Sequence, residues 1–135
     1  MIKIGDKAII EKQFTQEEVV SYARSSGDSN PVHFDTAYAK QTVFEKPIVH
    51  GLLAAGLFGG LLGSELPGNG TIHLGQEIRF LKPVFVGEKV KACIEVIQIR
   101  EDKPIITFKC HMEKSDGSVA MEGKAVVMYK GSIFK

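Results

Sequence analysis

Residues 47–64 read PIVHGLLAAGLFGGLLGS, eighteen residues without a formal charge. Their apolar side chains are not confined to one helical stripe, as they would be on a surface helix. Two interpretations compete: a transmembrane span with small-residue packing faces, or a helix buried on all sides within a globular domain. A span needs about 17 to 25 predominantly apolar residues, whereas the solidly apolar part, residues 51–63, is shorter and glycine-rich. We therefore predict a buried central helix, with Pro47 just before it and Gly51 at or near its start.

The composition fits a single domain over residues 1–135. Hydrophobic residues make up 44% of the chain, enough for a substantial core. The net charge of +1 gives no overall attraction to nucleic acid or to a membrane. The amino terminus lacks an apolar core of signal-peptide length, and Cys93 and Cys110 stand alone in strand-like contexts. These features predict a cytoplasmic protein with two free, buried cysteines and no cysteine-based metal site.

The remaining sequence divides into a helical first half and a strand-rich second half. A strand is predicted at residues 8–12, and a helix at 15–25 with a capping box between Thr15 and Glu18. A short helix follows at residues 35–41, and the apolar helix ends near residues 66–70, where proline and glycine cluster. Alternating apolar positions predict antiparallel strands over residues 71–80, 89–99, 106–112 and 119–130. The buried face of such a sheet needs an apolar partner, and we expect the sheet to wrap around the apolar helix.

Asp28 and His33 are the strongest candidates for acid–base chemistry. They stand in GDSNPVH, residues 27–33, where glycine, asparagine and proline favour a tight loop. A carboxylate and an imidazole held by one rigid loop suit general acid–base catalysis near neutral pH. The residues alone also allow a structural interpretation, in which Asp28 forms only an Asx-turn and His33 is a satisfied core histidine.

Gly51 is a candidate donor to a substrate carbonyl. At a helix start its N–H lacks an intrahelical acceptor, and the helix dipole adds partial positive charge there. One such oxyanion donor is worth on the order of 3 kcal/mol of barrier. The alternative is that a glycine only permits close packing at this point. The neighbouring His50 is expected to cap or support the helix start, while His73 and His111 lack metal-ligand spacing.

Four segments, in this order, resemble the MaoC-like (R)-specific enoyl-CoA hydratases. YARSSGDSNPVH at residues 22–33 is similar to the hydratase-2 motif of that family. PIVHG at 47–51, LGQ at 74–76 and FLKPVFVG at 80–87 follow, so the likeness covers nearly the whole chain. The resemblance implies an α+β hotdog fold, a curved antiparallel sheet around a central helix. It also implies a homodimer with its sites near the subunit interface.

The same resemblance implies roles for individual residues. Asp28 and His33 match the catalytic pair, Gly51 matches the backbone donor to the thioester carbonyl, and Asn30 and Pro31 would shape the loop. The substrate would be a trans-2-enoyl-CoA, hydrated reversibly to the (R)-3-hydroxyacyl-CoA by one water that the pair holds. No metal or redox cofactor is required. Which of the pair is the base stays open, as does the pathway, polyhydroxyalkanoate precursor supply or fatty-acid oxidation.

One position departs from the family pattern. Gly59 of the apolar helix stands where a short-chain member has a serine that lines the acyl pocket. Because glycine has no side chain to fill that space, we predict that a pocket bounded by Gly59, Leu62 and Val126 accepts longer acyl chains than short-chain hydratases do.

Other functions of hotdog proteins stay open alongside this one. They are a thioesterase, a dehydratase acting on carrier-protein thioesters, and a non-catalytic acyl-CoA-binding module. A paired acid and base argues against a pure binding module, which has no need of one. Four basic residues are candidates for CoA phosphates or an acidic carrier surface, although a strand lysine is more often simply solvated; they are Lys82, Lys89, Lys91 and Arg100.

Overall fold

A computed structural model describes residues 1–131 of the chain, so the last four residues of the predicted domain lie outside the described part. Three α-helices come first in the chain after one strand: α1 (Gln16–Ser26), α2 (Thr36–Lys40) and α3 (Gly51–Ser64). The strands are β1 (Lys7–Gln13), β2 (Ile72–Phe80), β3 (Lys89–Ile99), β4 (Ile105–Lys114) and β5 (Val119–Met128). They form one antiparallel sheet in the order β1-β3-β4-β5-β2. With α3 packed on this sheet, the predicted α+β hotdog arrangement is confirmed.

The capping box predicted at α1 is present. The side chain of Thr15 accepts a hydrogen bond from the backbone N–H of Glu18 at 3.1 Å. In return, the carboxylate of Glu18 accepts one from the backbone N–H of Thr15 at 3.0 Å. These bonds satisfy two N–H groups that the helix itself leaves without acceptors, so α1 has a defined start.

α3 packs against the sheet through one face only. Ala54, Phe58 and Leu61 point into the core, and at most 2% of each is exposed. The opposite face carries Gly56, Gly60 and Gly63, and near its start Leu52 is 64% exposed. The prediction of a helix buried on all sides is therefore wrong for the chain by itself. One sheet covers one side of a helix, and the described part of the chain supplies nothing for the other.

The first four residues of the apolar stretch are extended instead of helical. The backbone N–H of Val49 donates to the carbonyl of Val84 at 2.8 Å, and Ile48 forms an isolated antiparallel bridge with Phe85. This pairing holds residues 47–50 out of the helix, which begins at Gly51 as predicted. Within residues 1–131, no helix has the length and hydropathy needed to cross a membrane.

Both cysteines are free and buried, as predicted. Cys110 lies on the core face of β4, where burial raises the pKa of its thiol to about 11. Burial likewise raises the pKa of Cys93 on β3. Both thiols are therefore protonated and unreactive near neutral pH.

The pairing of β2 with β5 depends on the absence of a side chain at Gly123. A Cβ built at Gly123 would lie 1.7 Å from the backbone carbonyl oxygen of Glu77. Gly123→Ala must therefore displace β2, and we expect it to lower the free energy of unfolding by about 3 kcal/mol, as overpacking does. Urea denaturation measures this change.

Gly75→Ala is the matched control, because no atom lies within 4 Å of a Cβ at that position of β2. We expect a change within about 0.5 kcal/mol. Equal stabilities for the two variants would contradict the close packing of β2 on β5.

Candidate active site

A cleft of about 460 Å³ opens at the start of α3. Its walls are mostly apolar, and Phe80 at the end of β2 forms part of them. The three residues predicted to carry the chemistry, Asp28, His33 and Gly51, all line this cleft. An apolar cleft with a few convergent polar groups is the usual form of a small-molecule site.

Short-range hydrogen bonds shape the loop that carries Asp28. Gly27 ends α1 in the left-handed region, at φ +82°. Oδ1 of Asp28 accepts a hydrogen bond from the backbone N–H of Asn30 at 3.2 Å, and Oδ1 of Asn30 accepts one from Val32 at 3.2 Å. Pro31 then opens a single 3₁₀ turn, Pro31–His33, where its fixed φ suits the first position. The Asx-turn interpretation of Asp28 therefore holds, and it leaves Oδ2 without a partner among the described residues.

His33 is held by one ring nitrogen and open at the other. Its Nδ1 lies 2.6 Å from the carbonyl oxygen of Ile48, and because a carbonyl only accepts, Nδ1 carries the hydrogen. In the neutral ring, Nε2 then carries no hydrogen and can only accept a hydrogen bond. Within the described chain, it is not a buried atom that lacks a partner. Burial lowers the pKa of His33 below its ordinary value of 6.5, although the hydrogen bond to Ile48 opposes that shift. This shift favours the neutral form of the His33 imidazole at physiological pH.

One side-chain nitrogen or oxygen atom from each of Asp28, His33 and His50 lies within 4.8 Å of the corresponding atoms of the other two. One water can hydrogen-bond to two acceptors at that separation, so Asp28 and His33 are placed to share it. The same three residues resemble a metal-ligand set. However, the rings of His33 and His50 are stacked with centroids 3.8 Å apart and planes 26° apart. Imidazole binds metal in its ring plane, and two nearly parallel planes do not converge on one ion.

Gly51 is the first residue of α3, so its N–H has no acceptor within the helix. A Cβ at Gly51 would lie 2.6 Å from the ring of Phe80, which shows that close packing also favours glycine here. The two interpretations of this glycine are therefore compatible: the residue that lets Phe80 approach also lines the cleft and has an N–H without an acceptor in the helix.

The contact made by His50 was not predicted. His50 occupies the N-cap position of α3, but its side chain makes no capping hydrogen bond. Of the two roles expected for it, capping is therefore wrong, and support of the helix start stays a prediction. Nε2 of His50 instead donates to the backbone carbonyl of Asp28 at 3.0 Å. One indication in the sequence that His50 belongs to the site is that it directly precedes Gly51. A residue next to a site residue in the chain must lie near the site.

The residues predicted to bound an acyl pocket do not line this cleft. Leu62 is 1% exposed in the core, whereas Gly59 lies on α3 with no atom within 4 Å of a Cβ built there. Val126 alternates with the buried Ala125 and Val127, which places it on the face of the sheet away from α3. That position does not favour Val126 as part of a wall shared with Gly59. The acyl pocket stays a prediction.

Of the four basic residues considered, Lys82 lines the cleft. The others lie near carboxylates: Lys89 is 3.3 Å from Glu11, Lys91 is 3.6 Å from Glu113, and Arg100 is 2.6 Å from Asp102. These exposed pairs contribute little to stability but lower the local positive potential. Lys82 is therefore the residue of the four that is placed to meet an anionic substrate.

Known proteins are similar to this chain over most of its length. The (R)-specific enoyl-CoA hydratase of Aeromonas caviae is 50% identical over 126 residues, which cover 93% of this chain and 94% of that protein. The solved (R)-hydratase from A. caviae involved in PHA biosynthesis superposes with a TM-score of 0.93 at 49% identity, covering 95% of this chain and 97% of the other. A mitochondrial 3-hydroxyacyl-[acyl-carrier-protein] dehydratase of Arabidopsis thaliana is 30% identical, over 95% of this chain and 78% of its own length.

The family model of the MaoC like domain matches residues 3–117, which contain Asp28, His33 and Gly51. Most of the chain is thus accounted for by one family, and the chain belongs to the MaoC-like family.

Proposed function

We propose that this protein is an (R)-specific enoyl-CoA hydratase that reversibly adds water to trans-2-enoyl-CoA. The observation that carries the proposal is the convergence of three groups on one cleft: the carboxylate of Asp28, the imidazole of His33 and the helix-start N–H of Gly51. A carboxylate and a neutral imidazole hold and deprotonate a water. A helix-start N–H stabilises negative charge on an oxygen.

In this mechanism the substrate lies with its thioester carbonyl at the N–H of Gly51 and its C3 beside the bound water. The water oxygen bonds to C3, and the π electrons of the C2–C3 double bond move toward the carbonyl, giving an enolate that Gly51 stabilises. The proton that leaves the water passes to the Asp28–His33 pair and returns to C2. The net change is addition of OH at C3 and H at C2, so the step needs no other reactant.

CoA esters are favoured over carrier-protein thioesters as substrates. The hydratase of A. caviae shares 50% identity with this chain, against 30% for the acyl-carrier-protein dehydratase of A. thaliana. Lys82 at the cleft is suited to bind a phosphate group of CoA, although it could equally contact an acidic surface of a carrier protein. Steady-state kinetics on matched CoA and carrier-protein thioesters discriminate between them.

We further propose that the protein is a cytoplasmic homodimer. Two features support a second copy: β2 is an edge strand, and apolar side chains lie exposed along it and beside it. These side chains are Ile72, Leu74, Phe80 and Leu81, each at least 45% exposed, together with Leu52 of α3. A reducing compartment is supported by the two buried free cysteines.

Hydration is distinguished from thioester hydrolysis by two readouts on one substrate. We expect loss of the enoyl-thioester ultraviolet absorbance without release of free thiol. Asp28→Asn and His33→Gln should each lower kcat by about 10² to 10⁴, because each removes a group that handles the proton. Folding, measured by circular dichroism, should be unchanged.

Asp102→Asn and His111→Gln are the matched controls, because the same exchanges are made away from the cleft. Both should keep the rate of the unmodified protein. Release of thiol would move the protein to the thioesterases, and near-normal rates in both cleft variants would exclude the proposed pair.

The burial of His33 also predicts a pH dependence of stability. Because folding lowers the pKa of His33, the unfolded chain binds more protons than the native one as the pH falls through about 6.5. The free energy of unfolding should therefore fall from pH 8 to pH 5. In His33→Gln it should fall by less over that range than in the unmodified protein. Urea denaturation at each pH measures both slopes, and equal slopes would contradict the burial of an uncharged His33.

Acyl-chain length tests the role of Gly59. We expect activity on enoyl-CoAs of six and eight carbons as well as four, and Gly59→Leu should lower kcat/KM on the longest by at least about tenfold, as loss of hydrophobic pocket space does. Gly60→Leu is the control, because Gly60 is also unobstructed but points elsewhere around the helix. A sharp preference of the unmodified protein for four carbons would count against the pocket.

A further inference from the structure

His50 lies where the two halves of the site meet, directly before Gly51 and with 2% of its surface exposed. We propose that His50 is a positioning residue, whose ring fixes the Asp28 loop and the ring of His33 relative to the start of α3. The inference rests on the proposed hydratase function, because it assigns a role within the same site.

The first contact of the His50 ring is a hydrogen bond between residues 22 positions apart. Nε2 of His50 lies 3.0 Å from the carbonyl oxygen of Asp28, and Nε2 must carry the hydrogen because a carbonyl only accepts. This bond anchors the backbone from which the Asp28 carboxylate extends. A misplacement of about 1 Å in a catalytic group is enough to cost about 10² in rate, so the anchor bears directly on catalysis.

The second contact is the ring stack. The imidazoles of His50 and His33 lie 3.8 Å apart between centroids, and Tyr22 packs on His50 at 4.7 Å with a tilt of 56°. The stack closes off one side of the His33 ring, and the Ile48 carbonyl holds its Nδ1. The orientation of the His33 imidazole is therefore set by a ring on one side and a hydrogen bond at one end.

The third observation concerns the other nitrogen of His50. Its Nδ1 is buried and has no hydrogen-bond partner within residues 1–131. Buried polar atoms are usually paired, and an unpaired one is unfavourable. A phenylalanine would fill a similar volume and pack on Tyr22 without leaving such an atom, so packing alone does not account for a histidine here. The hydrogen bond to Asp28 does.

Two substitutions separate the hydrogen bond from the stack. His50→Phe keeps a ring but removes the donor to Asp28, whereas His50→Gln keeps an N–H donor at about the distance of Nε2 and removes the ring. We expect His50→Phe to lower kcat by about 10² with KM within about threefold, and His50→Gln to recover part of that loss. His111→Phe, the same exchange on the outer face of the sheet, should leave kcat unchanged.

A double variant tests whether His50 acts through Asp28. In an Asp28→Asn background, His50→Phe should lower kcat little further, whereas a purely structural role would give losses that multiply. Wild-type kcat in His50→Phe, or multiplied losses in the double variant, would overturn the proposal. If His50→Phe does not fold by circular dichroism, His50→Leu, which also removes the donor to Asp28, gives the same comparison in the same background.

The tautomer of His50 gives a readout that does not depend on activity. Nitrogen-15 NMR of the histidine rings should show His50 protonated at Nε2 and bare at Nδ1 in the unmodified protein. Protonation at Nδ1 would overturn the positioning role even in an active enzyme. An inactive protein with the expected tautomer would overturn the hydratase proposal and leave the contact of His50 with Asp28 standing.

Discussion

The site depends on an exchange of hydrogen bonds between residues 28–33 and residues 48–50. His33 donates to the carbonyl of Ile48, the N–H of Ile48 donates to the carbonyl of Val32 at 3.3 Å, and His50 donates to the carbonyl of Asp28. Each bond has a backbone group on at least one side, so the two segments are joined by atoms whose positions the fold already limits. Such an exchange aligns the acid–base loop with the start of α3 more closely than side-chain contacts alone would.

The apolar body of α3 gives that alignment its rigidity. The buried face of α3 packs against the sheet along the length of the helix. The position of the first turn is therefore fixed by the packing of the later turns. At the front, the backbone bond from Val49 to Val84 ties the preceding segment to the chain that leads into β3. Gly51 is therefore held from both directions, and its N–H has a defined direction before any substrate arrives.

Much of this could be predicted from the sequence because it depends on local pattern. Alternation located β3 and its neighbours, Thr15 and Glu18 marked the start of α1, and the order of the motifs indicated the site residues. What was missed depends on contacts distant in sequence. The start of α3 at Gly51 was predicted, but not the pairing of the residues before it with a segment some 35 positions on, nor the bond from His50 to a carbonyl 22 positions back. The exposed face of α3 follows from how much of a helix one sheet covers, which composition does not reveal.

The structural and catalytic interpretations of Asp28 and His33 were posed as alternatives, and the geometry makes the two compatible. The Asx-turn uses Oδ1 of Asp28 and leaves Oδ2 without a partner in the described chain, while the Ile48 carbonyl uses Nδ1 of His33 and leaves Nε2. In each residue, one polar atom makes the hydrogen bond that holds the side chain, and the other is left for chemistry. A side chain with both atoms free would be mobile, and one with both atoms bonded would be inert. Partial satisfaction is what a rigid acid–base pair requires.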